Sequence, residues 1–256
     1  MQFVEVNIEN RIATIALNRP DKRNALNAVV VTELKQALID CNNSSVKAIV
    51  LKGNGDAFCA GADLAYLKSL QTNTFEENLG DSQHLKDLFD MIYHYPKVVI
   101  AMVTGHAIAG GAGLATVCDF TFSVPEAKLG YTEVNIGFVP AIVSVFLIKK
   151  IGEAKARELL LTGKLIDASK AVEINLINEV YSAEEIEQKT YSFVEKLIIK
   201  TSGDSIALTK QLIADVQSMS IKDAFNHAAE INAKARATDD CQKGIAGFLN
   251  KEKVTW

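Results

Sequence analysis

Two glycine-rich turns are the segments of this chain whose residue types best suit chemistry by backbone groups. Thr104–Asp119 follows an apolar run, Lys97–Val103, that we predict to be a buried strand, and it continues into small residues typical of a helix start. Gly53–Leu64 follows a second apolar run in the same way. A helix N-terminus presents unpaired N–H groups and favours negative charge. We therefore expect each turn to give one N–H to a shared oxygen, as an oxyanion hole or a phosphate site requires.

Glu133 is the side chain whose surroundings best suit proton transfer. A lone glutamate is ordinarily a solvated surface residue, but this one lies in a mostly apolar segment, Lys128–Pro140, with glycines on both sides. Burial raises the pKa of a carboxyl group and lets it pass protons to and from a carbon acid. We expect Glu133 to be partly desolvated and to act as an acid or base.

Other catalytic signatures are missing from the sequence. It contains no GxSxG elbow, no Walker loop with Lys-Ser or Lys-Thr, and no GxGxxG spacing. The side chains that could ligate a metal are scattered, so we expect no metal site and four reduced thiols; they are His84, His94, His227, Cys41, Cys59, Cys118 and Cys241. His106 lies beside a glycine turn, and we expect a structural role for it.

The elements that must position these residues alternate in an α/β pattern. Residues 2–8 and 11–17 alternate apolar and polar residues and predict an antiparallel hairpin. Further strands are predicted near 47–52, 97–103 and 119–124, and helices at 28–41, 81–93 and 110–117. Ser69–Gly80 is polar, and we expect a loop there. Beyond residue 140 we expect mainly helices, at 154–161, 168–174, 183–197, 204–216 and 221–235, with a short strand at 176–180.

Composition limits the classes of function. The chain has 256 residues, of which 48% are hydrophobic and 23% charged, as in an ordinary globular protein. Its net charge of −4 argues against a nucleic-acid partner. No stretch of eighteen apolar residues indicates a membrane span. The N-terminus is typical of a strand rather than of a signal peptide, so we expect a cytoplasmic protein.

The two turns, together with several shorter motifs, resemble those of the crotonase (enoyl-CoA hydratase/isomerase) superfamily. The similar segments run in order along essentially the whole chain: Arg19–Asn27, Ala57–Leu64, Gly105–Gly111, Cys118–Asp119 and Gly247–Lys251. The resemblance implies an α/β fold with a spiral core of ββα units over 1–198 and a C-terminal helical region over 199–256. It also implies packing of that region on a neighbouring subunit, hence a homotrimer or a hexamer. The implied substrate is an acyl-CoA thioester, with no cofactor beyond the coenzyme A that the substrate carries.

The resemblance also implies roles for particular residues. The N–H groups of Ala62 and Gly110 would form the oxyanion hole, and Glu133 would be the catalytic carboxylate. The residues expected to bind CoA are Lys22, Arg23, Ala60, Asp63, Leu64, Phe248 and Lys251, although Asp63 also suits a helix start. The acyl pocket would include Tyr131, Ser144 and Gly113. Among these, the flexible cations suit the phosphates of CoA.

Gly113 is the main departure from the family pattern. Hydratases of the family carry a second glutamate at this position, and glycine can neither orient water nor act as a base. One interpretation is an enoyl-CoA isomerase that uses Glu133 alone. The favoured one is a single-glutamate hydratase, because Tyr131–Ser144 is similar to bacterial 3-methylglutaconyl-CoA hydratases of leucine degradation. A non-catalytic acyl-CoA-binding or RNA-binding relative is the third.

Overall fold

Two β-sheets, connected by helices, form the body of the protein. We describe residues 1–256 from a computed structural model. The strands are β1 (Val4–Glu9), β2 (Ile12–Leu17), β3 (Ala48–Gly53), β4 (Ala57–Cys59), β5 (Val98–Val103), β6 (His106–Ile108), β7 (Phe120–Ser123), β8 (Lys128–Gly130), β9 (Ile166–Asp167) and β10 (Glu179–Val180). The helices are α1 (Ala28–Asp40), α2 (Leu64–Leu70), α3 (Phe75–Tyr93), α4 (Gly110–Val117), α5 (Ala141–Thr162), α6 (Ala168–Glu173), α7 (Ile186–Lys200), α8 (Gly203–Val216), α9 (Ile221–Arg236) and α10 (Asp239–Asn250). The α/β class predicted from the sequence is confirmed.

The larger sheet has the order β1-β2-β3-β5-β7-β10, and β1–β2 is its antiparallel hairpin. Its other pairs are parallel. All six residues of β5 are buried, which explains why this strand is a continuous apolar run rather than an alternating one. The smaller sheet has the order β4-β6-β8-β9. Each of β3, β5 and β7 is followed by a short strand of the smaller sheet and then by helical structure, which gives the ββα repeat.

The smaller sheet was not predicted, because its three-residue strands lie inside the glycine-rich turns and show no alternation. Gly105 shows why small residues are needed there. A Cβ on Gly105 would lie 2.2 Å from the carbonyl oxygen of Asp56, so only glycine permits this approach of the chain before β6 to the chain before β4.

Three helical segments differ from the expectation. The predicted loop at 69–80 is wrong from Phe75 onward, because a capping box between Thr74 and Glu77 starts α3 there. Helix α5 begins at Ala141, well before the predicted segment, and it is interrupted at Gly152. Helix α10 was not predicted.

The C-terminal helices α8–α10 pack on one another and connect to the sheet through α8. The Nζ atom of Lys210 lies 2.6 Å from Oδ2 of Asp119 and 2.9 Å from the carbonyl oxygen of Lys97, both next to strand ends of the larger sheet. The predicted division between 198 and 199 falls in the last turn of α7, and the first break after it is at Thr201–Ser202. The division into two domains stays a prediction.

None of the helices combines the length with the apolar character that a membrane-spanning segment needs. All four cysteines are free thiols, and Cys41, Cys59 and Cys118 are buried in the core.

Candidate active site

The first glycine turn leaves the N–H of Ala62 free. Ala62 forms an isolated parallel bridge with Leu26, in which the N–H of Leu26 donates to Gly61 and the N–H of Asp63 donates to Leu26, at 2.7 and 2.8 Å. The N–H of Ala62 lies between these two bonds and donates to no acceptor of the protein. Ala62 is exposed and lines a cavity, so this donor is available to a ligand.

The second turn provides the N–H of Gly110, the first residue of α4. This N–H has no acceptor within its own helix. The preceding residue, Ala109, has φ 51° and ψ −123°, a conformation that normally requires glycine and costs about 1–3 kcal/mol. The bond from its N–H to the carbonyl oxygen of Gly130, at 2.7 Å, helps to hold this strain. Strain of this kind, directly before a free donor, is typical of a binding or catalytic turn.

The two turns are in contact. A Cβ on Gly61, which has φ 88°, would lie 2.9 Å from the carbonyl oxygen of Ile108 and 3.7 Å from the nitrogen of Gly110. The free N–H groups of Ala62 and Gly110 therefore line one cavity, as an oxyanion hole requires.

Glu133 lines the same cavity and begins a 3₁₀ helix over Glu133–Ile136. Its Oε2 atom is buried and has no hydrogen-bond partner. Burial raises the pKa of the Glu133 carboxyl above its ordinary value. Asn135, two residues on, donates from Nδ2 to the carbonyl oxygen of Gly163 at 3.2 Å and ties this 3₁₀ helix to the end of α5. A buried carboxylate oxygen without a partner has no structural use here, because leaving it unpaired destabilises the fold.

The cavity has a volume of about 320 Å³ and is mostly apolar, with 17 hydrophobic residues among the 25 that line it. Five residues of the predicted site lie in it: Ala60, Ala62, Leu64, Gly110 and Glu133. Leu64 and Phe138 line it while remaining 83% and 54% exposed, so the mouth of the cavity is apolar and open. Such a wall suits a hydrocarbon group.

Gly113 does not line the cavity, contrary to its predicted place in the acyl pocket. A Cβ on Gly113 would lie 2.2 Å from Cγ1 of Val143 and 3.3 Å from Cζ of Phe89. Val143 itself lines the cavity. The space into which a longer side chain at position 113 would extend is therefore filled by an apolar side chain.

Tyr131 and Ser144 are also placed outside the cavity, so their predicted contact with an acyl group is corrected. Tyr131 is fully buried, and its hydroxyl bonds to Oγ1 of Thr116 at 2.5 Å. The hydroxyl of Ser144 donates to the carbonyl oxygen of Ala141 within the first turn of α5. Neither residue was placed correctly because the sequence pattern does not show which side of the Glu133 segment faces the cavity.

Asp63 has a structural role at the start of α2, and its contact with CoA stays a prediction. Its carboxylate caps α2 by accepting from the N–H groups of Ala65 and Tyr66, and it pairs with Arg19 at 2.9 Å. Burial opposes its ionisation, but the bonds from Arg19 and the two N–H groups hold the pKa of Asp63 below its usual range. This carboxylate is fully engaged and would repel a phosphate.

Lys22 and Arg23 are exposed and lie next to the first glycine turn. The carbonyl oxygen of Arg23 accepts from the N–H of Ala60 at 2.9 Å. The loop is fixed by Asn24, a buried residue whose side chain bonds to the N–H of Arg19 and to the carbonyl oxygens of Asn54 and Ala57. Both cations are thus held beside the cavity mouth without an ion-pair partner in the protein.

Phe248 and Lys251 are not brought to this cavity. They lie in and directly after α10, which packs on α8 and α9. The tail that follows reaches Arg11, whose guanidinium donates to the carbonyl oxygen of Trp256 at 2.9 Å. Phe248 is 84% exposed.

Several polar residues of the cavity were missed as site candidates, among them Tyr66, Asp81 and His84. The hydroxyl of Tyr66 on α2 donates to the carboxylate of Asp81 on α3, and His84 bonds through Nε2 to Oγ1 of Thr32 at 3.0 Å. Tyr66, Asp81 and His84 all line the cavity. The helical period over 81–93 predicted the helix that carries two of them, but not the face that meets the cavity.

The chain is similar in both sequence and structure to known proteins. A profile described as enoyl-CoA hydratase/isomerase matches residues 7–256. A Thermus thermophilus protein named "Putative enoyl-CoA hydratase" is 42% identical over 244 residues, covering 95% of this chain and 96% of its own. A Syntrophomonas wolfei crotonyl-CoA hydratase is 31% identical over 251 residues, covering 97% and 95%. The crystal structure of a Mycobacterium smegmatis enoyl-CoA hydratase superposes with a TM-score of 0.92 at 27% identity, over 99% of this chain and 98% of that one.

Proposed function

Because this chain belongs to the enoyl-CoA hydratase/isomerase family and has its crotonase fold, we propose that it reversibly hydrates a 2-enoyl-CoA thioester with Glu133 as its single catalytic carboxylate. The observation that carries this proposal is the unpaired Oε2 of Glu133 in the same cavity as the free N–H groups of Ala62 and Gly110. The names of the relatives support hydration as the reaction.

The oxyanion hole supplies the first part of the chemistry. When water adds to Cβ of the enoyl group, negative charge develops on the thioester oxygen. The N–H groups of Ala62 and Gly110 would stabilise that charge, and the loss of one such donor costs about 10²–10³-fold in rate in studied enzymes. Because both donors are backbone groups held by tight turns, they need no reorganisation during the reaction.

Glu133 would carry both proton transfers. In the addition, its carboxylate takes one proton from water as the water oxygen bonds to Cβ. The neutral acid then returns that proton to Cα as the enolate collapses, so H and OH are added across the double bond and Glu133 is regenerated. The raised pKa of the carboxyl suits this alternation, because the acid and the base forms are closer in free energy near neutral pH.

Isomerisation of a 3-enoyl-CoA is the second candidate, and Val143 favours it. An apolar side chain fills the place from which a second carboxylate would act, so nothing at that place orients water. A single carboxylate that removes a proton from C2 and returns it to C4 would need no water. The same Glu133 and the same two N–H groups would perform this reaction.

The identity of the acyl group of the substrate is also a proposal. Sequence similarity around Tyr131–Ser144 favours 3-methylglutaconyl-CoA, but Ser144 lies outside the cavity, so that preference rests on the motif. The apolar walls favour a hydrocarbon chain such as that of crotonyl-CoA. We propose no cofactor beyond the coenzyme A of the substrate.

Binding of the CoA part and assembly are proposed together. Lys22 and Arg23 would meet the phosphates at the cavity mouth. Phe248 and Lys251 would reach CoA only from a neighbouring subunit of a trimer or hexamer. Large apolar side chains exposed on the C-terminal helices support such an assembly; they include Ile213, Ile221, Phe225, Phe248 and Leu249.

A three-substrate assay tests the reaction. Purified protein is given crotonyl-CoA, 3-methylglutaconyl-CoA and a 3-enoyl-CoA, and the absorbance of the conjugated enoyl thioester is followed. Its loss, with a 3-hydroxyacyl-CoA product, supports hydration. Its gain from the 3-enoyl substrate alone supports the isomerase instead. Acyl-CoA binding without turnover of any of the three would support a non-catalytic relative.

A further inference from the structure

A buried chain of hydrogen bonds connects the segment of Glu133 to helix α4. Thr116 Oγ1 lies 2.7 Å from the carbonyl oxygen of Ala112 and 2.5 Å from Oη of Tyr131. The proton of Thr116 is the one that Ala112 can accept, because a carbonyl has none to give. Tyr131 must therefore donate to Thr116, and the order is Tyr131 to Thr116 to Ala112.

The two ends of this chain lie close in sequence to the two halves of the proposed site. Ala112 is in the first turn of α4, two residues after Gly110, and Tyr131 is two residues before Glu133. Tyr131 is fully buried and Thr116 is 5% exposed, so water cannot substitute for the bond between them. A buried network with every polar group satisfied fixes one arrangement of the parts that it joins.

A second connection runs through the backbone. Strand β6 pairs with β8 through Ile108 and Gly130, and the N–H of Ala109 donates to Gly130. This pairing ends at Gly130, so the chain from Tyr131 to Glu133 is held to α4 by the tyrosine side chain rather than by the sheet. Without that bond, the 3₁₀ helix beginning at Glu133 could shift relative to Gly110.

We propose that Tyr131 and Thr116 are positioning residues that set the place of the Glu133 carboxylate relative to the N–H of Gly110. The inference rests on the proposed function, since it assigns to these residues the alignment of the base with the oxyanion hole. A displacement of about 1 Å of a catalytic group can cost about 100-fold in rate. Neither residue touches the acyl group, so binding of the substrate should change little.

The test compares Tyr131→Phe, Thr116→Val and the double variant with the wild-type protein. We expect each single variant to lower kcat about tenfold while KM stays within twofold. The double variant should have the kcat of the less active single variant, because each substitution removes the same connection. Tyr191→Phe is the matched control. The hydroxyl of Tyr191 bonds to Oγ1 of Thr14 at a distance of 2.7 Å, and neither residue lines the cavity. Tyr191→Phe should lower the Tm by about as much as Tyr131→Phe does, but it should leave kcat unchanged.

A measurement that needs no turnover keeps this inference separate from the proposed reaction. Hydrogen exchange of the peptide over 128–140 should be faster in Tyr131→Phe than in the wild type, because the amides of Asn135, Gly137 and Phe138 bond within the 3₁₀ turn. Unchanged exchange there would overturn the inference whether or not a substrate is found. If the wild type turns over a substrate, unchanged kcat in both single variants would overturn it too. If the wild type is inactive but exchange over 128–140 is faster in Tyr131→Phe, the proposed function would be contradicted. The role of Tyr131 in positioning the Glu133 segment would still be supported.

Discussion

Cγ1 of Val143 lies 2.2 Å from the point at which a side chain on Gly113 would begin. The two residues therefore share one space, and the valine occupies it. A larger side chain at position 113, such as the glutamate of the hydratase pattern, would not fit while Val143 occupies this space. Glu133 lines the same cavity as Ala62 and Gly110, and its Oε2 atom has no hydrogen-bond partner.

Gly113→Ala should destabilise the protein, although alanine ordinarily favours a helix. The added methyl group meets Val143, and overpacking of a core costs about 1–3 kcal/mol. Gly80→Ala is the matched control, because Gly80 lies in α3 with nothing within 4 Å of an added Cβ. That change should stabilise the protein by about 0.5–1 kcal/mol. Urea unfolding measures both.

Combining Gly113→Ala with Val143→Ala should restore part of the loss. The double variant should then be more stable than the sum of the two single effects predicts, by about 1 kcal/mol or more, since the clash is removed. Strict additivity would show that the two side chains do not compete for one space.

Glu133→Gln should stabilise the protein at neutral and alkaline pH. The folded-state pKa of Glu133 is raised by burial, so the folded protein holds this proton more tightly than the unfolded chain does. The contribution of the Glu133 carboxyl to stability is therefore fully present below the ordinary pKa of glutamate. This contribution is lost as the pH rises through the raised pKa. The gain in Tm from Glu133→Gln should therefore grow from pH 4 to pH 8. In Glu126→Gln, which changes an exposed carboxylate of the same region, no such trend should appear.

Asp63→Asn should cost stability rather than affinity for acyl-CoA. Asparagine can still cap α2, but Arg19 loses its charged partner, and breaking a buried ion pair costs about 3 kcal/mol. Asp167→Asn, at the exposed start of α6, is the control and should change the free energy of unfolding by less than about 0.5 kcal/mol. A stable Asp63→Asn protein with a raised KM would restore the predicted CoA contact.

Lys22→Gln and Arg23→Gln should raise KM for the acyl-CoA without affecting stability. Each removes one exposed cation beside the cavity mouth, and an exposed ion pair contributes about 0.5–1 kcal/mol, or about two- to fivefold in KM. The difference from wild type should shrink as salt is added, because salt screens exposed charges. Lys189→Gln, on the exposed face of α7, should leave KM unchanged. If Lys22→Gln and Arg23→Gln both had the KM of the wild type, as Lys189→Gln should, the CoA phosphates would bind elsewhere.

The sequence predicted the two glycine turns well because small residues after an apolar run leave few alternatives to a tight turn. It also predicted that Glu133 would be desolvated, from the apolar residues on both sides. It did not predict β4, β6 and β8, since three residues are too few to show a period. These short strands, however, bring the two turns into contact.

The sequence did not predict the orientation of the side chains around Glu133. Tyr131 was expected to face the acyl group, but a partner 15 residues earlier, Thr116, holds it in the core. Asp63 was expected at CoA, yet the cation that engages it lies 44 residues earlier, at Arg19. In both cases, contacts between residues that are distant in the chain decide which polar groups remain free.

We expect Glu133 alone to perform the proton transfers beside the N–H groups of Ala62 and Gly110. The most direct measurement is the turnover of Glu133→Gln on the best substrate of the assay, with Glu126→Gln as control. We predict that kcat falls by at least about 100-fold, as for the loss of a general acid–base group, while acyl-CoA still binds and the Tm does not fall. Turnover in Glu133→Gln within a few-fold of the wild type would show that another group carries the proton transfers.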